Sequence, residues 1–446
     1  MINMSVSEAA AVLQTRCSDG DAVFQGCSTD SRNLVREQLF VALRGPNHDG
    51  HEHVIEAGRR GAAAAMVSRS VDTSLPMIHV DDTLLALGRL AGAWRDRFEL
   101  PVIGVTGSNG KTTVKEMLAS ILSAGTALLA TRGNLNNEIG LPLTLMELNS
   151  KHRLAVIEMG ANHPGEIARL ARLARPHVGV ITQCAPAHLE GFGSIEGVAN
   201  AKGELLSNLD ADGTAVINAD DPFAPLWRGL AGTRRCLTFA IDAPAEVRAE
   251  WHQETTASRI EMSTPAGPIA LRLALPGRHN VANAAAATAA ALAVGAAPEA
   301  IVSGLERMRP VPGRLEPKII DADICIIDDT YNANPASLQA GLEVLAGFPG
   351  RHWLVLGDMA ELGSEAATYH RQVAQLVRDY SVDRLLTIGE LSRLTTASFG
   401  EGAKHHASID ALVASLGESL EPHTTVLVKG SRSMGMERIV AALTAG

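Results

Sequence analysis

The chain has no surplus of basic charge, no long apolar run and no patterned cysteines, and each absence removes a class of function. Lysine and arginine total 39 against 49 acidic residues, a formal net charge of −10. Nucleic-acid binding draws on a basic surface that neutralises phosphates, so this balance argues against it. An anionic ligand must instead be held by backbone dipoles, a few cationic side chains or metal ions. No apolar stretch approaches the ~20 residues that span a bilayer. The nearest, Val281 to Ala297, is mostly alanine and reads as a buried helix. The opening residues MINMSVSEAA lack a basic segment followed by an apolar one, so no signal peptide is expected. Cys17, Cys27, Cys184, Cys236 and Cys325 are odd in number and dispersed, which fits reduced thiols in a cytoplasm. His51 and His53, in DGHEHV, have no third metal ligand near them in sequence.

What is present is an α/β pattern. At 446 residues the chain exceeds one hydrophobic core, so two to four domains are expected. Short β-rich apolar runs alternate with helical periods almost throughout, the signature of layered, largely parallel sheets. A helix predicted from about Thr83 to Phe98 ends ahead of Pro101, where the strand VIGVT begins. RPVPGRLEP, at 309–317, interrupts any regular element a second time. These breaks predict three domains, 1–82, 83–313 and 314–446.

Polar residues recur where apolar strands end. VIGVT runs into GSNGKT, LAVIEM contains Glu158, HVGVITQ leads to His188 and TAVIN leads to Asp220. In the last segment ICIID leads to Asp329, HWLVLG to Asp358 and TTVLV to Lys429. Open α/β sheets bind ligands just beyond the carboxyl ends of their strands, so two facing binding edges are expected.

The most specific of these ends is TGSNGKTT, comprising Thr106, Gly107, Ser108, Asn109, Gly110, Lys111, Thr112 and Thr113. Its glycines let successive N–H groups converge on one anion, and the helix that follows adds its N-terminal partial charge. Lys111 is placed to reach terminal phosphates and Thr112 to ligate magnesium. The loop is a shortened G-x-x-G-K-T, because Val105 stands where the longer pattern has its first glycine. ATP binding is the expectation, and the loop alone leaves open a kinase, motor, GTPase or ligase.

Further motifs name a family. GSNGKT, GNLNNEIGLP, EMGANHPGEI, AHLEGFGS, AKGE, NADD, PGRHNVANAAAA, PGRLE and DDTYNANP resemble the Mur ligases in order and spacing. STDSR, LFVALRGPNHDGH, LGDMAELG and VKGSRSMGME extend the resemblance over essentially the whole chain. It implies an α/β protein of three domains. These are a small N-terminal α/β domain for a UDP-linked substrate, a central parallel or mixed phosphate-loop sheet, and a C-terminal Rossmann-like domain that closes on ATP. EMGAN, TYNANP and GDMAELG resemble the family branch that adds D-alanyl-D-alanine to UDP-N-acetylmuramoyl-tripeptide. A sibling that adds a diamino acid carries arginine after Asn-Pro, whereas Asn334-Pro335 here is followed by Ala336 and Ser337.

The resemblance also implies roles. Lys111, Glu158, His188 and Lys202 are the expected catalytic set, with Thr112, Glu158, His188 and a carbamylated Lys202 holding two Mg2+ ions. Read from its residues alone, Lys202 in AKGE is a helix-surface lysine paired with a glutamate. Asn280, Asn283, Arg314 and Asp329 join the loop in binding ATP. Ser28, Asp30, Ser31, Arg32, Asp49, Gly50, Asn134, Asn136 and Asn137 are expected on the UDP substrate. Asn332, Asn334, Asp358, Lys429, Ser431 and Arg432 are expected on D-alanyl-D-alanine. Alternatives are another Mur ligase, a folylpolyglutamate-synthetase-like ligase, or a nucleotide-dependent sensor of a cell-wall precursor. Nothing in the sequence demands an oligomer, and a monomer is expected.

Overall fold

The computed structural model describes residues 1–17, 21–123, 125–321 and 323–444. Strands β1 (Asn3–Ser5) and β2 (Val23–Gln25) form an antiparallel pair. Strands β3 (Cys27–Ser28), β4 (Leu39–Val41), β5 (Ala64–Val67) and β6 (Met77–His79) form a parallel sheet in that order.

The central sheet has nine strands. They are β7 (Val102–Thr106), β8 (Leu128–Ala130), β9 (Leu154–Glu158), β10 (Val178–Ile181), β11 (Thr214–Asn218), β12 (Arg235–Ala240), β13 (Val247–Gln253), β14 (Ser258–Ser263) and β15 (Ile269–Leu273). Their spatial order is β15-β14-β13-β12-β11-β10-β7-β9-β8. Pairing is parallel from β8 to β13 and antiparallel through β14 and β15. Strands β7, β9, β10 and β11 are buried along their whole length, as a sheet covered on both faces requires. β14 and β15 instead alternate buried and exposed residues, because one of their faces meets water.

The last sheet contains β16 (Glu316–Asp321), β17 (Ile324–Asp329), β18 (Arg351–Gly357), β19 (Arg384–Ile388), β20 (Ala403–His406) and β21 (Thr424–Lys429). Its order is β16-β17-β21-β18-β19-β20, with only the edge strand β16 antiparallel.

The alanine-rich stretch is the helix Arg278–Ala293, and Val281, Ala284 to Ala287 and Ala289 to Ala291 in it are completely buried. Small side chains let it lie close to both the helix Lys111–Leu122 and the central sheet. The helix Thr83–Arg95 shares one core with the N-terminal elements and with the helices Gly140–Leu145 and Glu166–Ala174. No helix among the described residues is long and apolar enough to cross a membrane.

Candidate active site

The phosphate loop joins β7 to the helix Lys111–Leu122. Gly107 and Gly110 adopt φ of +147° and +83°. A Cβ at Gly107 would collide with Thr182 Oγ1, and one at Gly110 with Asn283 Oδ1, so both positions require glycine twice over. The loop after β10 holds this conformation. Ser108 N donates to Gln183 O at 2.9 Å, Ser108 Oγ donates to Ala185 O at 3.0 Å, and Thr182 Oγ1 donates to Asn109 O at 2.6 Å. Thr106 Oγ1 is committed to Met159 O at 2.8 Å.

Lys111 folds back over the loop, donating to Gly107 O at 2.7 Å and to Ser108 O at 3.3 Å. Burial lowers its pKa from the ordinary lysine value. Beside it, Thr112 Oγ1 donates to Glu158 Oε2 at 2.9 Å and accepts from Arg314 Nη2 at 2.9 Å. Glu158 ends β9 with 2% exposure, and its other oxygen accepts from Asn136 Nδ2 at 2.7 Å. Four predicted residues from four chain segments therefore meet within hydrogen-bonding distance. Asn136, expected on the sugar-nucleotide, is here a partner of Glu158.

Lys202 does not lie on a helix surface. It is 1% exposed on the helix Ile195–Ser207, with Nζ 5.4 Å from the centre of the Phe192 ring. Burial, helped by the nearby Lys111 ammonium, brings its pKa down to about 7. Its neighbour Glu204 accepts instead from Gly165 N at 2.7 Å and Ala168 N at 2.9 Å, at the start of the helix Glu166–Ala174. His188 takes a left-handed φ of +53°, and its Nδ1 stands 2.6 Å from Glu361 Oε2 of the C-terminal segment.

A cavity opens beside the loop between the central and last sheets. Asn109, Gly110 and Thr113 meet Asn280, Asn283 and His279 on one side, and Arg314, Asp329, Tyr331, Asn332 and Lys429 on the other. Asn280 Nδ2 donates to Pro276 O at 2.9 Å, and Asn283 Nδ2 donates to Asn280 Oδ1 at 3.4 Å. Arg314 lies over the Tyr331 ring with its guanidinium carbon 4.0 Å from the centroid. Half-buried His279 has its pKa driven to about 4, first by desolvation and then by Lys429.

At the carboxyl edge of the last sheet several predicted residues are engaged with their own protein. Register pairs Asp329 with Lys429, whose Nζ lies 2.5 Å from Asp329 Oδ2 and donates to Asn332 O at 2.9 Å. Asp358 accepts from Ser392 N at 2.7 Å and Leu391 N at 3.2 Å, holding the start of the helix Ser392–Phe399. Ser431 Oγ accepts from Ala360 N at 2.8 Å. Arg432 is largely exposed, 3.5 Å from Glu437. Asn332 Oδ1 accepts from Ala333 N at 2.9 Å. Asn334 caps the helix Pro335–Ala346 and also bonds Asn109 at 2.9 Å.

The N-terminal candidates divide similarly. Asp30 forms a two-oxygen clasp on Arg32 at 2.9 Å, Ser28 Oγ donates to Asp30 O at 3.0 Å, and Ser31 is buried. Asp49 holds buried His51 at 2.5 Å and Arg69 at 3.1 Å, while His51 Nε2 accepts from Ser68 N at 2.9 Å. Gly50 packs so tightly on Leu43 that a Cβ would sit 2.8 Å from its backbone, a structural reason for that glycine. Asn137 Oδ1 accepts from Gly140 N at 2.9 Å, at the start of the helix Gly140–Leu145, and Asn134 is exposed. Thr182, His279, Tyr331 and Glu361 were not singled out from sequence; Thr182, one residue past β10, obeys the strand-end rule that found Glu158.

The chain is similar to known proteins over its whole length. The Mur ligase middle domain matches residues 105–291, and the Mur ligase glutamate ligase domain matches 313–432. The chain belongs to the Mur ligase family. It is 42% identical to the Escherichia coli UDP-N-acetylmuramoyl-tripeptide–D-alanyl-D-alanine ligase over 99% of each chain. A crystal structure of MurF from Acinetobacter baumannii superposes with a TM-score of 0.94, at 34% identity and full coverage of both chains. MurF ligase from Thermotoga maritima in complex with ADP superposes with a TM-score of 0.83, at 27% identity over 94% of this chain and 97% of that one.

Proposed function

We propose that this chain is an ATP-dependent amide ligase that joins D-alanyl-D-alanine to UDP-N-acetylmuramoyl-tripeptide, a step of peptidoglycan precursor synthesis. One observation carries the reading: a buried carboxylate, a phosphate-loop hydroxyl and an arginine from the turn ahead of β16 converge at Thr112. A nucleotide grip alone does not call for a buried Glu158 there.

Two anions, the tripeptide carboxylate and the γ-phosphate, must come together, so cationic screening is the first requirement. Lys111 supplies it by exchanging the Gly107 and Ser108 carbonyls for phosphate oxygens. Arg314 supplies a second charge from across the interface. The carboxylate oxygen attacks the γ-phosphorus and ADP leaves, giving an acyl phosphate. The dipeptide amine adds to that carbonyl and loses a proton, and inorganic phosphate departs from the tetrahedral adduct. An α-amino group with a pKa of about 7.7–8.0 needs no strong base near neutrality.

Thr112 Oγ1 and Glu158 Oε2, buried and 2.9 Å apart, are hard oxygen donors suited to Mg2+. Among the described residues no three His, Cys, Asp or Glu side chains gather as a metal cluster. An ion held by Thr112 and Glu158 would take its remaining ligands from phosphates and water. Held by Thr112 and Glu158, such an ion would supply charge neutralisation at the transferred phosphoryl group. Lys202 fits carbamylation, since a neutral amine is the form that combines with carbon dioxide and its pKa is already near 7. The carbamate and His188 are the proposed ligands of a second ion.

We assign segment 1–82 to the UDP end through Ser28, Asp30, Ser31 and Arg32, and segment 314–446 to the dipeptide. Asp358, Ser431 and Lys429 serve there by positioning backbone. The test is phosphate release from ATP with the UDP-tripeptide. Release that requires D-alanyl-D-alanine supports the assignment. Release that ignores the dipeptide, or proceeds equally with another amine, defeats it.

A further inference from the structure

We propose that Asn109 is a positioning residue through which docking of the C-terminal segment sets the geometry of the phosphate loop; the inference rests on the ligase reading above. Its side chain pairs with that of Asn334, whose Nδ2 donates to Asn109 Oδ1 at 2.9 Å, with the reverse contact at 3.5 Å. Its carbonyl accepts from Thr182 Oγ1 at 2.6 Å. Its neighbour Gly110 sits at φ +83°, where a Cβ would meet Asn283. Asn109 is thus held through its carbonyl by Thr182 and through its side chain by Asn334.

The first of those contacts belongs to the central segment, and the second arrives from a residue 225 positions away. Asn334 is already oriented for the task. Its Oδ1 accepts from Ser337 N at 2.9 Å, and its own N donates to Ser337 Oγ at 3.0 Å, a reciprocal cap on the helix Pro335–Ala346. A preset side chain loses little rotamer freedom when it makes a new contact. Phosphate binding depends on several N–H groups pointing at one place, so a loop whose peptides can swivel binds more weakly. With the C-terminal segment docked, the Asn109 peptide is fixed; undocked, Thr182 holds it alone. Linkage then requires that a ligand favouring docking tightens nucleotide binding, and the reverse. The ligand assigned to the docking segment is D-alanyl-D-alanine.

The experiment uses the full chain with Mg2+ and the UDP-tripeptide, measuring affinity for a non-hydrolysable ATP analogue with and without the dipeptide. Wild type, Asn109→Ala, Asn334→Ser and the double variant are compared. Serine preserves the helix cap but is too short to reach Asn109. The dipeptide should tighten analogue binding about 5- to 20-fold in wild type. Each single variant should lose most of that enhancement, and the double variant no more than the larger single, because both remove one contact. Single effects that multiply in the double variant overturn the inference. So does full enhancement in Asn109→Ala, which carries the test alone if Asn334→Ser does not fold. A wild type that turns over only with the dipeptide, yet shows no enhancement, sinks the coupling and leaves the ligase reading standing. A wild type that does not turn over fails the ligase reading first.

Discussion

Two sheet edges face one cavity, and their polar groups are bonded in opposite senses. At the edge of the central sheet, Lys111 rests on two backbone carbonyls of its own loop, and Thr112 shares its hydroxyl between Glu158 and Arg314. Phosphate oxygens and a metal ion can replace those partners without leaving a charge stranded. At the edge of the last sheet, Lys429 is neutralised by Asp329, and Asp358 is filled by two backbone amides. Breaking those bonds would leave buried charges uncompensated. An edge that performs chemistry keeps exchangeable contacts. The edge of the last sheet keeps its charges satisfied internally.

The contrast breaks first if Glu158 is dispensable. Glu158→Gln keeps the shape and removes the charge, and turnover should fall on the order of 10²–10³-fold with melting temperature nearly unchanged. A loss under tenfold would move the chemistry elsewhere. The opposite signature is expected of Asp329→Asn, which strands the Lys429 ammonium at 1% exposure. Its cost should be roughly 3–5 kcal/mol in denaturant unfolding, largely recovered when Lys429→Met is added. An Asp329→Asn protein of wild-type stability would erase the distinction between the edges. Lys202→Ala should reduce activity about 10- to 100-fold, the range for loss of a group that supports a metal site. Added short carboxylic acids should restore part of it; activity unchanged by the substitution would dismiss the carbamate.

The smallest effect concerns pH. His279 has its pKa lowered from the ordinary 6.5 to about 4. Between those values the unfolded chain binds a proton that the folded chain does not, so stability falls as pH drops from 6.5 toward 4. His279→Gln removes that contribution. The melting temperature of wild type relative to the variant should therefore decline by roughly 2–4 °C between pH 7 and 4.5. A constant difference would mean the ring takes up protons as readily in the folded chain as in the unfolded one.

The features legible in sequence are those with a strict geometric demand. Gly107, Gly110 and Lys111 could be read because a phosphate loop needs positive φ and a helix start in fixed succession. Glu158 followed from the strand-end rule. The same rule could not separate Asp358 from Glu158, since a carboxylate after a strand looks identical whether it faces a ligand or holds the next helix. Asp329 and Lys429 were both visible, but their pairing was not. It depends on β21 inserting beside β17 after β18, β19 and β20 have passed. Lys202 sits on a helix whose pattern does not distinguish a solvent-facing lysine from one turned under Phe192. Thr182 went unread because the groups it fixes lie 73 residues earlier.

The central claim is that the carboxylate of the UDP-tripeptide is activated at the edge built by Lys111, Thr112 and Glu158. Labelling both oxygens of that carboxylate with 18O and analysing the released phosphate tests it most directly. Acyl-phosphate chemistry makes a carboxylate oxygen the bridging atom that leaves with phosphorus, so each phosphate should carry one 18O. Unlabelled phosphate, formed alongside the ligated product, would contradict the account.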